Sequence, residues 1–273
     1  MWLSESYLPH AWPVSYRKSV GFGVVGLGTF GSTLVVPTAG HLYAGSCTSP
    51  GSFVPQKVTD GHACVSKRSV LSLAGGVAYA SSEGINVVSM NGWSLASDSF
   101  FTDKQWQALK PESMSAYRLG NRYCGFYDTG TVQRGFIFDP VDRRSGLIYI
   151  DVYGTAGYND PKRDALYLQI GNNIQRWDGG TTLRPYIWKS KLFTLVKPIN
   201  PAVGQVISAE YPVTFKLYAD GNLKATKTVL NGRAFKLPAG YKASDFEIQL
   251  EGTSSVRGVA VAESVDDLKQ LVV

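Results

Sequence analysis

Histidine and cysteine are scarce in this chain, three of each among 273 residues. His10, His41 and His62 form no HxH or HExxH pattern, so a histidine metal centre is not expected. Cys47, Cys64 and Cys124 lack CxxC spacing and are odd in number. That argues against both a disulfide framework and a zinc site, and for reduced, mostly buried thiols made in a cytoplasm. No apolar run approaches the roughly 20 residues that cross a bilayer, so membrane insertion is not expected. Residues Met1 to His10 show no basic region followed by an apolar stretch, so no signal peptide is expected.

Motifs that carry chemistry are missing too. There is no GxSxG, no P-loop and no DxDxDG calcium loop. Gly21-Phe22-Gly23 and Gly26-Leu27-Gly28 look like part of a dinucleotide fingerprint, but no helix pattern follows them. They read as turn glycines. Asp139, Asp142 and Asp151 stand near Arg143-Arg144 and read as exposed ion pairs rather than as a catalytic carboxylate cluster. The sequence therefore predicts no enzyme, no catalytic residues, no metal and no cofactor.

What is present points to strands. Hydrophobic residues make up 44% and charged residues 18%, with 29 glycines, 15 tyrosines and 12 phenylalanines. Turn formers mixed with aromatics favour many short strands in a packed fold. Four segments read as strand, tight turn, strand: Gly31–Val36 to His41–Ala44, Gly76–Ala80 to Gly84–Val88, Arg122–Tyr127 to Gly135–Phe138, and Ala165–Leu168 to Asn173–Trp177. Their centres, Val35, Ala78, Cys124 and Tyr167, recur at the period of about 40 to 50 that marks propeller blades. Apolar residues on both sides of each strand fit blades buried on both faces, although a meandering β-sandwich fits as well. One helix interrupts the pattern near residues 102–109. Thr102 and Gln105 form a capping box, Phe101 and Trp106 a hydrophobic staple, and Pro111 a stop.

A boundary is expected near Lys197-Pro198-Ile199-Asn200-Pro201. It separates a propeller-like region, 1–197, from a small antiparallel β-sandwich, 198–273. Beyond it Val213, Phe215, Leu217 and Ala219 alternate, Asp220-Gly221 turns the chain, and Leu223, Ala225, Lys227 and Val229 return. Phe246, Ile248 and Leu250, then Val256, Val259 and Val261, continue the alternation, and Ser264 with Asp267 caps a last helix.

The formal charge of +6 is concentrated. Between Arg184 and Lys242 ten Lys/Arg meet only Glu210 and Asp220, and the chain then turns acidic. Lys189, Lys191, Lys216, Lys224, Lys227, Arg233 and Lys236 form a candidate basic subunit interface, expected to meet an acidic neighbour. An ordinary solvated face is the competing reading. Tyr149, Tyr153, Tyr158, Tyr167 and Trp177 are candidates for stacking sugars or partner side chains. That leaves a carbohydrate-binding, lectin-like propeller as the alternative function, with a depolymerase behind it.

Several strings resemble large virion structural proteins of tailed phages, the short-tailed ones above all. They are Ser4-Glu5-Ser6-Tyr7-Leu8-Pro9-His10-Ala11-Trp12-Pro13, Ala63-Cys64-Val65-Ser66-Lys67-Arg68-Ser69, Val77-Ala78-Tyr79-Ala80-Ser81-Ser82-Glu83-Gly84, Phe100-Phe101-Thr102-Asp103-Lys104-Gln105-Trp106 and Trp188-Lys189-Ser190-Lys191. Their order agrees with that family along nearly the whole chain, and the segment from Pro37 to Pro55 departs from it. The resemblance implies a tail tube or nozzle-like subunit located in the virion tail. It also implies a cyclic homo-oligomer, six-membered in the family, that contacts neighbouring tail, adaptor or fibre proteins and DNA in transit. Family members carry a further β-rich region upstream, so the chain is similar to the C-terminal part of a longer protein.

Overall fold

The structure, a computed structural model, describes residues 1–142 and 146–271. Among the described residues the chain is all-β, with antiparallel sheets and two short α-helices. It divides into two compact units, Met1–Gly179 and Gly180–Val273.

The first unit is a succession of antiparallel meanders. β1 (Gly28–Phe30), β2 (Thr33–Pro37), β3 (Leu42–Ser46) and β4 (Gln56–Thr59) make the first sheet. β5 (Leu71–Leu73), β6 (Gly76–Ala80), β7 (Ile85–Ser89) and β8 (Gly92–Leu95) make the second. After α1 (Asp103–Ala108) come β9 (Ser115–Leu119), β10 (Arg122–Asp128), β11 (Gln133–Phe138) and β12 (Leu147–Ile150). The fourth sheet has three strands, β13 (Ala156–Asp160), β14 (Ala165–Ile170) and β15 (Asn173–Arg176).

The four expected hairpins are the second and third strands of these sheets. Val35 pairs with Ala44, Ala78 with Val87, Cys124 with Ile137 and Tyr167 with Arg176.

Each inner sheet feeds two cores because successive side chains leave opposite faces. On β6, Val77 and Tyr79 join Val35 and Leu42 of the first sheet. Ala78 and Ala80 instead join Tyr123, Phe136 and Phe138 of the third. On β10, Tyr123 and Tyr127 face the second sheet, while Cys124 and Phe126 pack with Leu166 and Leu168 of the fourth. The free face of the first sheet is closed by Phe53, with Met1 and Leu3 packed on Leu34 and Val36. Gly28 is a close-approach site within β1 rather than a turn glycine. A Cβ there would lie 2.4 Å from Val77 Cγ1, so only glycine lets the first two sheets meet at that point.

The capping box of α1 is present: Thr102 Oγ1 accepts from Gln105 N, and the Gln105 side chain accepts from Thr102 N at 2.9 Å. The Phe101 and Trp106 rings lie 5.6 Å apart. Pro111 opens a 3-10 turn, Pro111–Ser113, after the helix.

The second unit holds two sheets. β16 (Tyr186–Lys189), β17 (Phe193–Ile199), β19 (Val213–Ala219), β20 (Asn222–Val229) and β22 (Ala243–Gly252) form one. β18 (Val203–Ser208), β21 (Phe235–Lys236) and β23 (Val256–Ala262) form the other, and α2 (Val265–Leu271) ends the unit. Val213, Phe215, Leu217 and Ala219 are buried with Phe246, Ile248 and Leu250, and Val206, Val256, Val259 and Val261 of the second sheet pack on them.

Two expectations are corrected. The break falls at Gly179 and Gly180 rather than near 197, because β16 and β17 pair with β22 and so belong to the C-terminal unit. Leu223 does not face the core with Ala225 and Val229. A register shift at Leu217/Tyr218 pairs it with Tyr218 and leaves it exposed.

Candidate functional site

The lysines and arginine of the expected basic interface all lie in the second unit, but they do not form one unopposed positive field. Lys189 and Lys216 project from β16 and β19 onto the outer face of the larger sheet. Two acids of β22 meet them there: Lys189 Nζ lies 2.8 Å from Glu247 Oε2, and Lys216 Nζ 2.5 Å from Glu251 Oε1. Tyr218 lies between the pairs, its ring 4.6 Å below Lys189 Nζ and its hydroxyl donating to Gln249 Oε1 at 3.2 Å. Gln249 Nε2 in turn donates to Glu251 Oε1 at 2.6 Å. The hydrogen bond from Lys216, followed by that from Gln249, holds the Glu251 carboxyl below its usual range. The same bond to Glu251 raises Lys216. This face is a zipped row of alternating charges that satisfies itself.

The remaining cations are dispersed. Lys191 Nζ lies 5.4 Å over the Phe193 ring, and Lys224 Nζ lies 5.5 Å over Tyr241. Lys227 is opposite Phe215 on the edge strand β20 and is exposed, although its alternation is that of buried Ala225 and Val229. A charge turned toward the core side of an edge strand hinders further strand pairing there. Arg233 is exposed in the turn before β21, where its N–H donates to Asn231 Oδ1, and Lys236 sits on β21 opposite Val203.

Charge accumulation in the linear sequence therefore overstated the patch, because the neutralising acids arrive from β22, 58 and 35 residues away from Lys189 and Lys216. The signal that would have found them is the alternation Glu247, Gln249, Glu251 between the buried Phe246, Ile248 and Leu250.

The histidines are spread through the first unit. His41 accepts from Gly61 N at Nδ1, 3.0 Å away, with Asp60 3.9 Å from Nε2. His62 stacks on Trp93 at 4.4 Å and has Glu83 Oε2 2.6 Å from Nδ1. That close approach lacks hydrogen-bond alignment and is an ion pair only with His62 protonated. Among the described residues no three His, Cys, Asp or Glu side chains gather to hold a metal ion.

Asp139 accepts from the Val141 and Asp142 amides at 2.9 and 3.0 Å, a local turn. Arg143 and Arg144 lie outside the described residues. Of the candidate aromatics, Tyr153 and Trp177 pack against the core between the third and fourth sheets, whereas Tyr149 and Tyr158 are exposed.

One feature of the second unit escaped the sequence reading. β16 and β17 carry a run of exposed large apolar side chains on the sheet edge. In sequence the run reads as ordinary strand and linker.

No helix among the described residues is long and apolar enough to cross a membrane. Comparison with known proteins gives little beyond this geometry. No family model matches the chain. No curated protein matches it. Among solved structures it is similar to the computationally designed Ika4 protein, at 13% identity and a TM-score of 0.34, over 59% of this chain and 93% of that one.

Proposed function

We propose that the chain is a non-catalytic structural subunit of a bacteriophage tail, of the tail tube or nozzle-like kind. In this reading its copies close into a ring that conducts DNA, and its loops dock neighbouring tail, adaptor or fibre proteins. The observation that carries the reading is the serial stack of meander sheets, each buried against the next. It supports a propeller-like body of blade-type repeats, with the C-terminal unit as an added β-sandwich. This is the architecture that the resemblance of the ordered sequence blocks implies. A rigid body whose side chains are spent on packing suits a mechanical part. The self-neutralised lysine face of the C-terminal unit fits a permanent surface better than a nucleic-acid grip.

Mass spectrometry of density-banded phage particles tests the assignment. Peptides of this chain at several copies per particle are expected. Their absence from clean particles would overturn it.

A further inference from the structure

The two faces of the fourth sheet differ. On one face Leu166 and Leu168 of β14 enter the core shared with the third sheet, and Gly157 of β13 lies against the Tyr117 ring. Alternate residues leave the other face. There the strand register sets Tyr158, Tyr167 and Arg176 in one row across the three strands, because Tyr158 pairs with Tyr167 and Tyr167 with Arg176. The next row on that face is Ala156, Gln169 and Ile174. Tyr158 is 63% and Ile174 78% exposed, Gln169 and Arg176 are exposed, and Tyr167 is half-buried. Strands spaced about 4.8 Å apart make the row roughly 10 Å long, about the length of two linked pyranose rings.

Each side chain of this face has a matching use. Tyrosine rings are flat apolar surfaces with a polar rim, suited to the C–H faces of sugars. Gln169 donates from Nε2 to Gly171 O at 3.3 Å, and its Oε1 is an acceptor for hydroxyls. Arg176 is the cation of the row, and among the described residues no acid, Asp178 included, pairs with it. Asp160, the acid on this face, is already taken. It receives Arg163 Nη1 at 3.0 Å and the Lys162 amide at 2.9 Å.

We propose that the row is a binding platform for an acidic glycan. Pyranose faces rest on Tyr158 and Tyr167, and a uronic-acid carboxylate pairs with the Arg176 guanidinium. One unpaired cation in roughly 10 Å suits an acidic sugar better than single-stranded nucleic acid. Phosphates recur about every 3.4 Å along a strand and call for a basic groove that tracks them. The platform is an activity beyond the tail assignment and does not rest on it.

Isothermal titration calorimetry of the full chain tests it with two hexasaccharides, an oligogalacturonate and an alternating uronic acid–N-acetylhexosamine fragment. Binding of at least one is expected, weakened at least about tenfold by Tyr158→Ala. Arg176→Gln should bind the acidic hexasaccharide no better than the wild type binds its carboxyl-reduced form. Both side chains are exposed, and unchanged circular dichroism checks that the variants fold. Hexathymidylate is expected to bind more weakly than the glycan. Failure of both hexasaccharides to bind, or variants that bind as tightly as the wild type, would overturn the proposal. Tighter binding of hexathymidylate would overturn it in favour of nucleic acid. Absence of the chain from phage particles would leave the platform standing.

Discussion

Burial raises the Cys64 thiol to about 11 and the Cys124 thiol to about 12. Both are neutral in the fold at any physiological pH, while Cys47 is half-buried. A native titration with an aromatic disulfide reagent should therefore modify one thiol of the three, and all of them after unfolding. The raised values also set a pH dependence. The unfolded chain loses these protons near pH 9 and the folded chain does not, so their contribution is complete below that pH. It is lost as pH rises through 11 and 12. Urea midpoints are expected to fall above pH 9, and less steeply in Cys124→Ala. Trp106 illustrates the other use of burial, since it is fully enclosed and donates from Nε1 to Ser81 O at 2.9 Å. Trp106→Ala should cost about 3–5 kcal/mol by chemical denaturation. The sequence identified Trp106 through its staple with Phe101. The Lys189 and Lys216 partners stayed hidden because strand pairing, not chain proximity, brings the acids in.

Turn chemistry made the hairpins legible. Asp220 and Gly221 both adopt positive φ, 48° and 75°, the requirement of a type I′ turn, and Asp-Gly announces it. The helix α1 was equally plain, because a capping box and a staple are local patterns. Thr102→Ala should cost about 1 kcal/mol, measurable as a shift in urea midpoint. The outer strands β1, β5, β8 and β12 were not seen. They run to three or four residues and owe their conformation to the hairpins they pair with, which tertiary context decides and propensity does not. Pro198 misled the boundary for a related reason. In a linker it would mark a domain edge, yet here it sits in the arched part of an edge strand, where a missing N–H breaks no ladder bond.

Two units with separate cores invite a test by dissection. Residues 180–273 retain β16 and β17 and are expected to fold as a fragment, with a cooperative thermal transition by circular dichroism. Residues 198–273, cut where the sequence suggested, lose the strands that cover one edge of β22. That fragment should melt at lower temperature or remain unfolded. Equal stability of the two would show that the edge strands contribute little. Within the first unit, Arg68 donates to Tyr117 OH at 3.0 Å and to Thr155 O at 2.6 Å. It ties the chain ahead of the second sheet to the third sheet and to the approach of the fourth.

The closed face of the first sheet gives the stack a direction of growth. A duplicated meander inserted after residue 95 would find on either side a surface already shaped to receive a sheet. One inserted ahead of Gly28 would first have to evict Met1, Leu3 and Phe53. Met1, Leu3 and Phe53 thus do for one face of the first sheet what the neighbouring sheet does for the other.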